Sequence, residues 1–217
     1  MALMKKNELV NFLNKLFEVY PNPKCELNYK NNFTLLAAII LSAQSTDKGV
    51  NKVTKTLFEV ATTPREMLAL GEEGLKQHIK SINYFNNKAK SIINLSKELI
   101  EKHNETVPNT FEELLSLSGV GKKTASVFLN VAFHAPLIGV DTHVFRLCHR
   151  LNICTGKNPA IVQEKLQKII PANYQPDVAL CLVLHGRYVC TAKKPKCASC
   201  PLIEVCTAFD IQKENKC

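Results

Sequence analysis

An all-α fold is what this sequence predicts, and three observations predict it. Apolar residues recur at i, i+3 and i+4 in segment after segment. Capping residues and prolines fall where those segments begin and stop. No stretch alternates apolar and polar residues as a half-buried strand would.

Taken in order, Asn7 to Tyr20 carries Leu9, Val10, Leu13, Leu16 and Phe17 on one face, and Pro21 ends it. Phe33 to Ala43 is apolar all round, which predicts a central, buried helix. Asp47 is placed to cap a helix holding Val50, Val53, Leu57 and Phe58. Pro64 to Leu70 and Glu72 to Ile79 read as two short helices. Lys88 to His103 carries Ile92, Ile93, Ser96, Leu99 and Ile100 at helical spacing. Thr110 with Glu113 forms a capping box ahead of a short helix bearing Phe111, Leu114, Leu115 and Leu117. A second helix follows the turn Ser118-Gly119-Val120-Gly121 and buries Ala125, Phe128, Leu129 and Ala132. Thr142 to Leu151, Pro159 to Ile170 and Asp177 to Val189 continue the pattern. There is no clear internal repeat and no low-complexity linker.

The 217 residues suffice for one large domain or two small ones. A net charge of +9 and a pI near 9.1 favour an anionic partner, nucleic acid first, with a basic ribosomal or membrane-surface role as the alternative. MALMKKNELVNFL lacks the apolar core of a signal peptide, and the longest apolar run, Leu35 to Leu41, is too short to span a bilayer. A soluble, cytoplasmic protein is expected, without membrane attachment. Nine cysteines, an odd number, argue against a disulfide framework when no signal peptide is present. Cys25, Cys148, Cys154, Cys181 and Cys217 are scattered and read as small buried hydrophobes or idle thiols.

The hairpin offers specific chemistry. Gly119 and Gly121, flanking Val120, expose backbone N–H groups at a helix N-terminus, a ready place for phosphate. Lys122 and Lys123 follow in the first helical turn, where the helix dipole and the neighbouring ammonium both disfavour a cation. A neutral lysine is a nucleophile. The competing reading is a pair of solvated lysines touching DNA phosphates.

Towards the C-terminus stands Cys190-x6-Cys197-x2-Cys200-x5-Cys206. Four thiolates in so short a loop suit a structural zinc or an iron–sulfur cluster, and spacing alone leaves both open. Between Arg187 and Cys200 there is no acid, while Lys193, Lys194 and Lys196 all lie there. A metal tether would fix these charges in one loop and lower the ordering cost of gripping phosphates.

LSGVGKKTASVFLN followed by VDTHVFR resembles the helix-hairpin-helix and aspartate segments of the endonuclease III family of DNA glycosylases. In that family's L-P-G-V-G-x-K-T-A pattern the catalytic amine falls on Lys123, and the aspartate of V-D-T-H falls on Asp141. Ser118 stands where the family usually has proline, and serine still permits a turn. The cysteine spacing matches the family's cluster ligand by ligand, which implies a [4Fe–4S] cluster on Cys190, Cys197, Cys200 and Cys206. Leu41-Ser42-Ala43-Gln44-Ser45-Thr46-Asp47 resembles L-S-A-Q-x-T-D, whose glutamine enters the gap left by the extruded nucleotide; it falls on Gln44. IKSINYFNNKA resembles I-x-x-I-G-L-Y-N-x-K-A, with Tyr84 in place of a wedging leucine and Asn83 in place of glycine. A tyrosine can stack as well as wedge, and Asn83 tolerates the left-handed backbone. The alternative for Tyr84 is an ordinary surface tyrosine. His143 follows Asp141 by two and is a candidate to face DNA, although structural or capping work is the usual lot of such histidines, His149 and His185 included.

The resemblance implies a helical barrel domain over residues 24–135 that contains the hairpin. A discontinuous second domain, residues 1–23 and 136–217, would carry the cluster, with a DNA-binding cleft between the two. It implies a monomeric bifunctional glycosylase and abasic-site lyase acting on double-stranded DNA with oxidised pyrimidines or abasic sites. An adenine glycosylase of the same superfamily is the near alternative. Those relatives generally lack this lysine and carry a further C-terminal domain, whereas this chain has Lys123 and ends shortly after Cys206. A non-catalytic DNA-binding module is the distant alternative, and the coexistence of Lys123 with Asp141 argues against it.

Overall fold

A computed structural model describes residues 2–208. Among these the regular elements are all helical, as the periodicity predicts. None of these helices is long and apolar enough to cross a membrane. The chain divides into two compact units: Cys25–Ala135, and a discontinuous unit drawn from Met1–Lys24 and Pro136–Cys217.

The discontinuous unit opens with α1 (Lys6–Val19). The continuous unit is built around α2 (Asn32–Ser42), in which every residue from Phe33 to Leu41 is buried. Asn31 caps it by accepting from the Thr34 N–H at 2.9 Å. Around it pack α3 (Asp47–Val60), α5 (Phe85–Lys102) and α7 (Lys122–Phe133). The cap of α3 is Thr46, whose hydroxyl accepts from the Gly49 N–H at 3.2 Å. Asp47, expected in that role, instead occupies the first turn, where a carboxylate meets the positive end of the helix dipole. The two short helices expected over residues 64–79 run as one element, α4 (Pro64–Ile79), bent at Gly71 with φ +70°. Helix α4 lies along α5, and α6 (Phe111–Ser116) leads into α7.

In the discontinuous unit α1 joins α8 (Thr142–Arg150), α9 (Pro159–Ile169) and α10 (Gln175–Tyr188). Leu9, Phe12, Leu13 and Leu16 of α1 enter one core with Val144, Leu147, Val162, Leu166, Val178 and Leu182. Each such side chain contributes about 1.5–3 kcal/mol when fully buried, so the N-terminal helix is a structural part of the C-terminal half. Cys148, Cys154 and Cys181 are buried as small hydrophobes and Cys25 is half-buried; Cys217 lies outside the described residues. Two short 3-10 turns, Cys197–Ser199 and Ile203–Val205, close the described chain.

Candidate functional site

Thr110 caps α6, its hydroxyl oxygen accepting from the Glu113 N–H at 3.4 Å. The return bond to the Glu113 carboxylate comes from the Thr110 hydroxyl. At the bend, the Ser118 N–H and hydroxyl each donate to the Glu98 carboxylate of α5 at 2.7 Å. A proline there could offer neither donor. Gly119 has φ +80°, and a Cβ on it would sit 2.8 Å from the Ser91 Cβ. Glycine is therefore demanded by the fold at this position. Val120 is buried and donates to the Leu117 carbonyl at 3.1 Å. Gly121 caps α7 without a side chain, and a Cβ there would meet nothing within 4 Å. The first N–H groups of α7 thus have no side-chain cap. Lys122 and Lys123 open the helix, both exposed. Ala132, expected in the core, is only half-buried, whereas Ala125, Phe128 and Leu129 are buried.

A second feature of the same unit lies where α2 ends. Gln44 is exposed and left-handed, with φ +54°. Lys88 of α5 is buried and its ammonium donates to the carbonyls of Leu41 at 2.9 Å and Ala43 at 2.7 Å and to the Ser45 hydroxyl at 3.1 Å. A cation at a helix C-terminus satisfies carbonyls that have no helical partner. Burial lowers its pKa from the ordinary lysine value. The Asn83 side-chain amide donates to the Gln44 carbonyl at 2.9 Å. Asn83 tolerates a left-handed backbone, but it is Tyr84 that takes one, with φ +57°, and Tyr84 is 62% exposed. Such a backbone costs a non-glycine residue about 1–2 kcal/mol.

In the discontinuous unit, Asp141 is the N-cap of α8, its Oδ1 accepting from the N–H groups of His143 and Val144, both at 2.8 Å. Its Oδ2 makes no hydrogen bond to the described residues. His143 is half-buried, with Nδ1 3.4 Å from the Arg146 guanidinium. His149 braces its own region between the Phe145 carbonyl at 2.8 Å and Gly156 at 3.1 Å.

Cys190, Cys197, Cys200 and Cys206 line one pocket with the apolar Phe12 and Leu202. Among the described residues, no three His, Cys, Asp or Glu side chains converge tightly enough to hold a single metal ion. Four thiols around a shared apolar pocket are a donor set that fits an iron–sulfur cluster. Arg150 donates to the Cys190 sulfur at 3.3 Å and to the carbonyls of Thr191 at 2.8 Å and Ala192 at 3.0 Å. Arg146 reaches the carbonyls of Gly186 at 2.7 Å and Cys190 at 3.1 Å. His185 bridges Tyr20 at 3.2 Å and the Cys200 sulfur at 3.7 Å, and burial lowers its pKa to about 4, so the ring is neutral. Lys193, Lys194 and Lys196 lie in the loop between the first two cysteines, all three exposed, and Arg187 is half-buried.

Residues 37–172 match the family described as HhH-GPD superfamily base excision DNA repair protein. Residues 190–206 match the iron–sulfur binding domain of endonuclease III. Endonuclease III of Haemophilus influenzae is 52% identical over 203 residues, spanning 94% of this chain and 96% of the relative. The chain belongs to the endonuclease III family. Base excision DNA repair is therefore its work. The Escherichia coli K12 endonuclease III is 48% identical over the same shares of both chains. A non-covalent endonuclease III–DNA complex superposes with a TM-score of 0.91 at 41% identity, covering 98% of this chain and 100% of that one. A trapped covalent endonuclease III–DNA intermediate gives 0.90 at 42%, covering 97% of this chain and 100% of that one. As a member of the endonuclease III family this chain carries a [4Fe–4S] cluster as its cofactor.

Glu98, Lys88, Arg146 and Arg150 do not stand out in the sequence. Only Lys88 leaves a local trace, since it shares its helix face with Ala89 and Ile92. A charged residue on an apolar stripe is the signal that was available.

Proposed function

We propose that this protein repairs double-stranded DNA by removing oxidised pyrimidines and then cutting the strand 3′ to the abasic site. One observation carries the proposal. An exposed lysine, Lys123, stands in the first turn of a helix that follows a Gly-x-Gly bend and has no side-chain cap.

The target base is swung out of the duplex, because its glycosidic carbon is unreachable inside it. The unprotonated Lys123 amine attacks C1′ of the sugar, and the damaged base departs with its bonding electrons. The nitrogen lone pair then breaks the C1′–O4′ bond, O4′ leaves with its electron pair and takes up the proton shed by the nitrogen, and the ring-opened Schiff base acidifies the C2′ proton. Loss of that proton expels the 3′ phosphate with its electron pair and leaves a C2′–C3′ double bond conjugated with the iminium, which is β-elimination. Asp141 offsets positive charge at the sugar and helps deprotonate the lysine. Gly119, Val120, Gly121 and Lys122 present the hairpin backbone and a cation to a phosphate. Gln44 fills the gap left by the extruded nucleotide, and Tyr84 wedges beside it. His143 faces the DNA near the reacting sugar.

Cys190, Cys197, Cys200 and Cys206 hold the cluster. When bound, it supplies iron–thiolate bonds that staple the loop carrying Lys193, Lys194 and Lys196 beside Arg187, so that these cations meet phosphates in a fixed arrangement. In domain terms, residues 24–135 form the helical barrel and residues 1–23 with 136–217 the cluster domain. The protein works as a monomer in the cytoplasm.

Borohydride reduction in the presence of abasic-site DNA tests the lysine's role. A covalent protein–DNA adduct is expected from the wild type and none from Lys123→Ala. An adduct that survives the substitution, or wild-type binding with no adduct, would remove the lysine from that role.

A further inference from the structure

The two residues assigned to probing the duplex, Gln44 and Tyr84, lie far apart in sequence, yet their turns are joined. The link is one hydrogen bond, from the Asn83 amide to the Gln44 carbonyl at 2.9 Å. Both probes are exposed, and both hold a left-handed backbone that side-chain-bearing residues disfavour. Each therefore needs an anchor. Gln44 has Ala43 and Ser45 on either side of it, both gripped by the Lys88 ammonium. Tyr84 follows Asn83 directly and opens α5, the helix that also carries Lys88. The turns are thereby fastened at two points, once through the Lys88 stem and once through the Asn83 amide.

We propose that Asn83 is a positioning residue that locks Gln44 and Tyr84 into one preformed two-pronged probe. The inference rests on the probing roles given to those two residues above. A glycine at position 83 has no side-chain amide and leaves the two turns to be ordered separately when DNA arrives. Ordering before binding lowers the free-energy cost of association. The proposed chemistry gives Asn83 no contact with the reacting sugar or the lysine, so it acts on duplex engagement and leaves bond cleavage alone.

Two substitutions separate the possibilities. Asn83→Gly removes the side chain. Asn83→Asp keeps its size but sets a carboxylate oxygen against the Gln44 carbonyl, where no donor remains. Loss of one hydrogen bond predicts roughly 3- to 10-fold weaker binding to lesion-bearing duplex for Asn83→Gly, and at least as much for Asn83→Asp. Cleavage of an abasic site in single-stranded DNA, which has no opposite strand to probe, stays at the wild-type rate for both. A double-mutant cycle with Tyr84→Ala is expected to be non-additive, because the tether has nothing to position once the ring is gone.

Wild-type duplex binding by Asn83→Asp would overturn the proposal, as would an equal loss on single-stranded substrate or strict additivity in the cycle. Substitution of the probes themselves keeps the tether distinct from the roles it serves. If Tyr84→Ala and Gln44→Ala both leave duplex binding unchanged, the probing roles fall and the tether falls with them. If those two weaken binding while Asn83→Asp does not, the tether alone is overturned.

Discussion

Asp141 caps a helix, and we assign a second load, charge at the reacting sugar, to the same carboxylate. Oδ1 accepts from two of the orphan N–H groups at the start of α8, while Oδ2 is left without a hydrogen bond to the described residues. The loads separate by substitution. Asparagine caps a helix about as well as aspartate, since its carbonyl oxygen also accepts. Asp141→Asn therefore keeps the cap and removes only the charge. Thermal melting should move little, while strand cleavage falls by roughly 100- to 10,000-fold, the usual worth of a positioned acid–base group. A melt that collapses along with activity would mean the charge serves the fold. Asp141→Ala is the contrasting case: it also loses the cap, at a cost of about 1 kcal/mol.

The hairpin shows how an element divides glycine between two tasks. Gly119 is required from within, by φ +80° and by Ser91 only 2.8 Å from where a Cβ would lie. Gly121 has ordinary φ and open space around it. Gly119→Ala is expected to destabilise the protein by about 1–3 kcal/mol, through strain and the clash together. Gly121→Ala should leave stability nearly unchanged, so any loss of DNA affinity it causes arises from a partner that approaches that surface. Chemical denaturation and duplex titration of both variants check this, and equal melting of the two would refute the division. The same element marks the limit of what the sequence discloses. Its helices, its turn and the position of its lysines follow from caps, spacing and glycines, all of which act within a few residues. The ties between elements of this unit do not. Ser118 to Glu98, Asn83 to Gln44 and Lys88 to Leu41 span 20, 39 and 47 positions. No local periodicity selects such partners, because which helix faces which is decided by packing. The left-handed turn beside Asn83 shows the same limit: residue type tells which side chains tolerate such a backbone, and the anchors decide that Tyr84 takes it.

At the scale of the molecule, the cluster-bearing unit is assembled from both ends of the chain, with Cys25–Ala135 inserted between its parts. Helix α1 gives that unit Leu9, Phe12, Leu13 and Leu16, none more than 5% exposed. At about 1.5–3 kcal/mol per side chain, the four together contribute on the order of 6–12 kcal/mol. That rivals the whole net stability of a typical domain, about 5–15 kcal/mol. Phe12 also lines the pocket around the four cysteines, so the same helix that fills the core closes the cluster site. Removal of residues 1–24 should therefore yield protein without the visible absorbance and iron content of the cluster, since the thiols would lose the packing that gathers them. The inserted unit has its own core around α2 and should remain helical, resistant to proteolysis within residues 25–135. Iron analysis and limited proteolysis of the truncated chain give the two readouts separately. A truncated protein that still binds its full complement of iron would show that the cysteine loop folds without α1, and that the long-range closure of the chain is not what builds the cluster site.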